Sequence, residues 1–97
     1  MSKYRVMIHG HNFLTEVDGA RQRMGFYTQV FVEADDEGDA EARAVDVLRQ
    51  DSKLREGVLN SPDDRPSMSV EEIEQVASFD GCTLPRTGLA FYVEEPT

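Results

Sequence analysis

Residues 25–34 decide the fold, and they read GFYTQVFVEA. Small or apolar side chains recur along this stretch at the period of two that is typical of a β-strand. One face of the strand carries Phe26, Thr28, Val30, Val32 and Ala34. The other face carries Tyr27 and Phe31 beside two polar residues. Because a freely solvated face is mostly polar, the two aromatic side chains predict that this second face is covered too.

The residues before this strand predict another strand and then a loop. Residues 4–9 alternate in the same way, and Gly10 ends the pattern. The inward side chains of this strand are Tyr4, Val6 and Ile8. We expect a loop over residues 11–24, with a turn at Asp18-Gly19. Loops of this length are uncommon in compact domains and often carry function.

An acidic stretch after residue 34 predicts the start of a helix. Asp35, Asp36 and Asp39 suit the helix N-terminus, where a carboxylate can accept a hydrogen bond from a free backbone N–H. The helix is expected to end near Gln50. Helical spacing predicts that its buried stripe consists of Ala40, Ala44, Val47 and Leu48.

Residues 67–77 allow two interpretations. Ser69 and Glu72 fit a capping box that would begin a helix. The alternative is a long edge strand from Met68 to Ala77, with a bulge at Glu71-Glu72 that resets the alternation. We favour the strand, because a second helix would leave a sheet of only three strands.

The final strand is predicted over residues 89–93, and it completes the fold. Its inward side chains are Leu89, Phe91 and Val93. The order is then β-β-α-β-β in a single domain over residues 1–97. We predict an α+β fold in which one long helix packs on one face of a four-stranded, mostly antiparallel sheet. One helix cannot cover both faces of the sheet, so we expect a second copy of the chain to cover Tyr27, Phe31 and Tyr92.

Composition excludes several classes of protein. The chain has 97 residues, with 19 acidic and 10 basic side chains and a formal net charge of −9. We do not expect such a chain to bind nucleic acid, because nucleic-acid binding draws on dense positive charge. The lone Cys82 excludes an intramolecular disulfide, and no apolar run is long enough to span a bilayer. We therefore expect a cytosolic protein without membrane contact, and no motif calls for a cofactor.

Two histidines two residues apart form a candidate metal site. In an extended backbone, His9 and His11 project to the same side, where two imidazoles can chelate a transition metal. Metal sites usually take three or four protein ligands, and no third ligand can be identified from spacing alone. Two partly exposed histidines at a strand end are the simpler interpretation.

A second candidate site is an anionic-ligand site in the expected loop. It would use His11, Asn12, Arg21 and Arg23, since arginine binds carboxylate or phosphate through its planar fork. Catalytic signatures are weaker. Cys82 lies two residues after Asp80, whose negative charge disfavours a reactive thiolate. The glutamates within residues 71–74 are typical of a solvated strand face and not of an acid–base pair.

The leading functional hypothesis is a non-enzymatic interaction or regulatory module that acts as a homodimer. Its acidic run over residues 33–41 would contact a basic protein partner. The alternative, from another class, is a domain that binds a metal or a small anionic ligand through residues 11–24.

Overall fold

A long β-hairpin forms the centre of the computed structural model, which describes residues 1–51, 54, 59–60, 63–82 and 84–94. Strand β1, Ser2–Val17, pairs antiparallel with strand β2, Ala20–Ala34. Both residues of the turn between them have positive φ angles, 51° at Asp18 and 81° at Gly19. An Asp-Gly pair adopts such angles at low cost, and the resulting turn matches the twist of paired strands.

The prediction of a loop over residues 11–24 is therefore wrong, although the predicted turn at Asp18-Gly19 is confirmed. Strand pairing continues to Val17 and Ala20 on the two sides of the turn. The register leaves His11 and Asn12 opposite the single residue Gly25, and Asn12 has a φ of 60°. This bulge absorbs the extra residue. The alternation of side chains breaks at Gly10 in the sequence, but the strand itself continues through the bulge to Val17.

The complete sheet has the strand order β3-β1-β2-β4, and all three pairings are antiparallel. Strand β3 spans Ser67–Val76, and the short strand β4 spans Ala90–Val93. Helix α1, Glu37–Arg49, packs against the sheet. The predicted α+β class and element order are confirmed.

The choice of a strand for residues 67–77 is also confirmed, together with its bulge. Met7 pairs with Glu72 and the next residue, Ile8, pairs with Val70, so Glu71 is an extra residue in β3. Pairing with β1 decides the conformation here, because it satisfies the backbone hydrogen bonds that a short isolated helix would leave open at its ends.

The core lies between α1 and one face of the sheet. Asp36 caps the helix by accepting a hydrogen bond from the Asp39 backbone N–H at 2.8 Å. Ala40, Ala44 and Leu48 are fully buried, whereas the predicted Val47 is only partly buried at the margin of the stripe. The sheet contributes five side chains that are likewise without exposed area: Val6, Ile8, Phe26, Val30 and Ala34.

The opposite face is partly covered by the chain itself. Phe31 is 8% exposed, and its ring meets the ring of Phe79 edge-on at 5.9 Å. Its backbone N–H donates to the Pro85 carbonyl at 2.9 Å. The segment after β3 therefore covers Phe31, which removes this residue from the predicted contact surface for a second chain. Tyr27 remains 44% exposed on the same face.

Strand β4 forms the rim of the sheet rather than part of the core. Phe91 pairs with Phe26 across the sheet, and their ring centroids are 5.7 Å apart. Phe91 is nevertheless 44% exposed, and Val93 is 53% exposed. Both side chains lie on the inward face that the sequence predicts, opposite Phe26 and Met24. They stay exposed because α1 packs mainly on β2 and β1 and leaves this edge open.

Within the described residues, no helix combines the length and the apolar character needed to cross a membrane.

Candidate functional site

His9 and His11 lie together on the sheet face that α1 leaves open. Strand β1 stays extended past Gly10, since His9 pairs with Ser69 and His11 pairs with Ser67 in β3. The two side chains therefore project to one side, as their spacing predicts. Their ring centroids are 3.8 Å apart.

The bulge in β3 adds a carboxylate to this pair. Glu71, the extra residue, places its Oε1 atom 3.4 Å from Nδ1 of His9. Bulges re-aim side chains in this way and are frequent beside functional sites. The sequence alone predicts that Glu71 is a solvated residue. The predicted bulge, combined with the pairing of β3 against β1, is the signal that places Glu71 beside His9.

The three side chains have the arrangement of a metal-ligand set. One ligand atom from each of His9, His11 and Glu71 lies within 4.8 Å of the others. Ligand atoms around a tetrahedral zinc ion lie about 3.3–3.5 Å apart when each bond is about 2.1 Å long. The 3.4 Å between His9 and Glu71 matches that separation. Two imidazoles and a carboxylate suit Zn²⁺, Cu²⁺, Ni²⁺ or Co²⁺, and three protein ligands leave a coordination position open.

The ring of His9 is held on both sides. Its Nε2 atom shares a short hydrogen bond with the Tyr92 hydroxyl, and its ring stacks on Tyr27 with a centroid distance of 4.1 Å and an interplanar angle of 9°. The His9 side chain is only 13% exposed. The bond at Nε2 leaves Nδ1, the nitrogen that faces Glu71, as the one available to an ion.

Tyr92 is suited to remain a neutral partner for His9. Desolvation, followed by the nearby Tyr27 and Glu94, raises the pKa of the Tyr92 phenol. A tyrosine phenol is protonated at neutral pH in any case, and the raised pKa extends that range toward higher pH. Gly25 makes room for this ring, because a Cβ at that position would lie 2.3 Å from the Tyr92 hydroxyl oxygen.

The four residues of the predicted anionic-ligand site have different surroundings. Asn12 and Arg23 bond to each other, and Asp64 accepts from both, at 2.8 Å and 2.7 Å respectively. The amide of Asn12, and then Arg23, lower the pKa of the Asp64 carboxyl. Arg21 lies opposite Glu16 in the hairpin. Anion binding here stays a prediction, and Asp64 would compete with any ligand for Arg23.

The other glutamates of β3 differ from Glu71. Glu72 and Glu74 each accept a hydrogen bond of 2.8 Å from the Arg5 guanidinium. These carboxylates raise the pKa of Arg5, with the Glu74 hydrogen bond as the largest cause. Both glutamates form exposed ion pairs, which agrees with the solvated strand face that the sequence predicts. Glu71 is the member of the group that faces the histidines.

Comparison of the chain with protein-family models, with curated proteins and with solved structures finds no match. A function for the chain is therefore inferred from the geometry of this site.

Proposed function

We propose that the protein is a binding domain for a divalent transition-metal ion, held by His9, His11 and Glu71. The convergence of one ligand atom from each of these side chains within 4.8 Å carries the proposal. The outer contacts of His9 support it, because metal-binding histidines commonly use their second nitrogen in a hydrogen bond that fixes the ring. Glu71 is exposed, so an ion can reach the site from solvent.

A matched pair of variants in β3 tests this proposal. Glu71→Gln removes the charge of a ligand, and we expect it to weaken Zn²⁺ binding at least tenfold, since loss of an outer-shell partner alone costs 10–100-fold. Glu72→Gln changes the neighbouring glutamate, which bonds to Arg5, and should leave the affinity within twofold. Isothermal titration calorimetry measures both. His11→Ala should abolish binding.

Two further measurements make the test specific. Lowering the pH from 7.5 to 5.5 should weaken binding, because protons compete with the ion for imidazole nitrogens. The metal should also raise the melting temperature of the wild-type protein and not that of His11→Ala. Absence of saturable binding of Zn²⁺, Cu²⁺, Ni²⁺ and Co²⁺ by the wild-type protein would contradict the proposal.

We propose as a second function that two copies of the chain associate through the β4 edge of the sheet. The two sheet edges differ in charge and polarity. The β3 edge carries the exposed Glu71, Glu72 and Glu74, so two such edges repel each other. The β4 edge carries Phe91 and Val93, which are 44% and 53% exposed. An unpaired, apolar edge is the feature that favours association.

Light scattering after size-exclusion chromatography tests this second proposal. We expect a particle of twice the 10.9 kDa chain mass at tens of micromolar. Phe91→Asp should shift it to one chain mass, because a buried unpaired charge would oppose the contact. Glu74→Gln, on the other edge, serves as the control and should remain dimeric. A wild-type monomer at this concentration would overturn the proposal.

We also propose the basic protein partner and the cytosolic location that the sequence predicts. A basic protein partner would meet the exposed acids at the start of α1. Part of that charge already serves the helix, since Asp36 caps it and Asp39 pairs with Arg43 at 3.0 Å. A cytosolic location remains consistent with a single, free Cys82.

A further inference from the structure

A cavity lies on the side of the sheet that faces the helix, away from the histidine cluster. Its volume is about 360 Å³, within the range of small-molecule sites. It opens between the last turns of α1 and the residues of β1 and β3 beside them. Most of its lining is apolar, namely Phe13, Val45, Leu48, Leu54 and Met68.

One cation lines this apolar cavity. Arg49, in the last turn of α1, is the charged residue among its described lining residues. The acidic side chains nearest to it in sequence have other partners. Asp46 accepts a hydrogen bond from the Gln50 amide at 3.0 Å, and Asp51 accepts from the Arg86 guanidinium. Arg49 itself has no ion pair within the part of the chain that the structure describes.

We propose that this cavity binds a small amphipathic carboxylate, with its apolar body against the partly exposed Val45 and Met68 and its carboxylate on Arg49. The apolar lining favours a hydrocarbon portion, because its burial removes apolar surface from water. The guanidinium favours a carboxylate head, which it can bind through two parallel N–H···O bonds. The site shares no residue with the metal cluster, so the inference is independent of the proposed function.

Octanoate is the probe, and its binding is followed by NMR of the side-chain methyl groups. We expect saturable shifts at Val45, Leu48, Leu54 and Met68 in the full chain, at concentrations below micelle formation. Met7, which is on the opposite face of the sheet, should not shift. Acetate lacks the apolar body and 1-octanol lacks the charge, so each should bind at least fivefold more weakly than octanoate.

Two variants of α1 separate specific binding from general adsorption. Arg49→Gln should weaken octanoate binding about five- to tenfold, because it removes the charge-assisted hydrogen bonds. Arg43→Gln removes a cation of the same helix that pairs with Asp39 and does not line the cavity, and it should leave the affinity unchanged. Equal weakening by both variants, equal binding of octanoate and octanol, or the absence of saturable methyl shifts would overturn the inference.

Discussion

Replacing Gly10 with alanine should destabilise the protein by about 3 kcal/mol, the upper end of the usual cost of overpacking a core. A Cβ at this position would lie 2.1 Å, 2.5 Å and 2.6 Å from three carbon atoms of the Phe26 ring. Neither side of the contact can yield easily. Gly10 belongs to a paired strand, and the fully buried Phe26 ring is fixed by Phe13, edge-on at 5.1 Å. Urea denaturation measures the loss as a lower transition midpoint.

Two further variants show whether the Phe26 ring is the cause. Gly88→Ala introduces the same methyl group where no atom lies within 4 Å, and it should change stability by less than about 0.5 kcal/mol. In a double-mutant cycle with Phe26→Leu, the cost of Gly10→Ala should fall by at least about 1 kcal/mol, because the ring atoms that clash are gone. A cost below about 1 kcal/mol for Gly10→Ala in the wild-type background would show that the ring does not fix this approach.

The same glycine explains why the sequence predicts only the half of the hairpin that lies away from the turn. Up to residue 9 the alternation of β1 is clear, and the buried residues of β2 follow the predicted face from Phe26 to Ala34. Gly10 has no side chain to continue the pattern, and Asn12 is a turn-forming residue with a positive φ. Both features are typical of a loop. Here they form a bulge, and the conformation is decided by hydrogen bonding to a partner strand rather than by local preference.

The metal-ligand set was predictable to the extent that it depends on one strand. The alternation of β1 predicts that His9 and His11 share a side. Glu71 is separated from them by more than fifty residues, and its place depends on which strand pairs with β1, and in which register. Alternation gives the faces of a strand, but it does not determine its neighbours. The same limit applies to Phe31, which the sequence predicts to be covered by a second copy of the chain. Phe79 of the same chain covers it instead, and Phe79 comes from a segment without strand periodicity.

Replacing Tyr92 with phenylalanine should weaken Zn²⁺ binding about 10- to 100-fold, the usual cost of losing an outer-shell partner of a metal ligand. An ion on Nδ1 of His9 requires the proton of that ring to be on Nε2, where the Tyr92 oxygen accepts it. Without that oxygen, a largely buried N–H group has lost its partner, and the ring no longer favours the tautomer that binds the ion. Calorimetric titration measures the change.

Tyr27→Phe is the matched control, because it keeps the ring that stacks on His9 and leaves the Tyr92 hydroxyl in place. Its affinity should stay within twofold of the wild-type value. ¹⁵N NMR of the imidazole rings adds a readout that a loss of stability alone would not change. The ion should shift Nδ1 of His9 in the wild-type protein and in Tyr27→Phe, whereas Tyr92→Phe should show binding divided between the two nitrogens. If Tyr92→Phe binds Zn²⁺ as tightly as the wild-type protein does, and through Nδ1 alone, then Glu71 and the strand geometry orient His9, and the phenol serves only to pack against it.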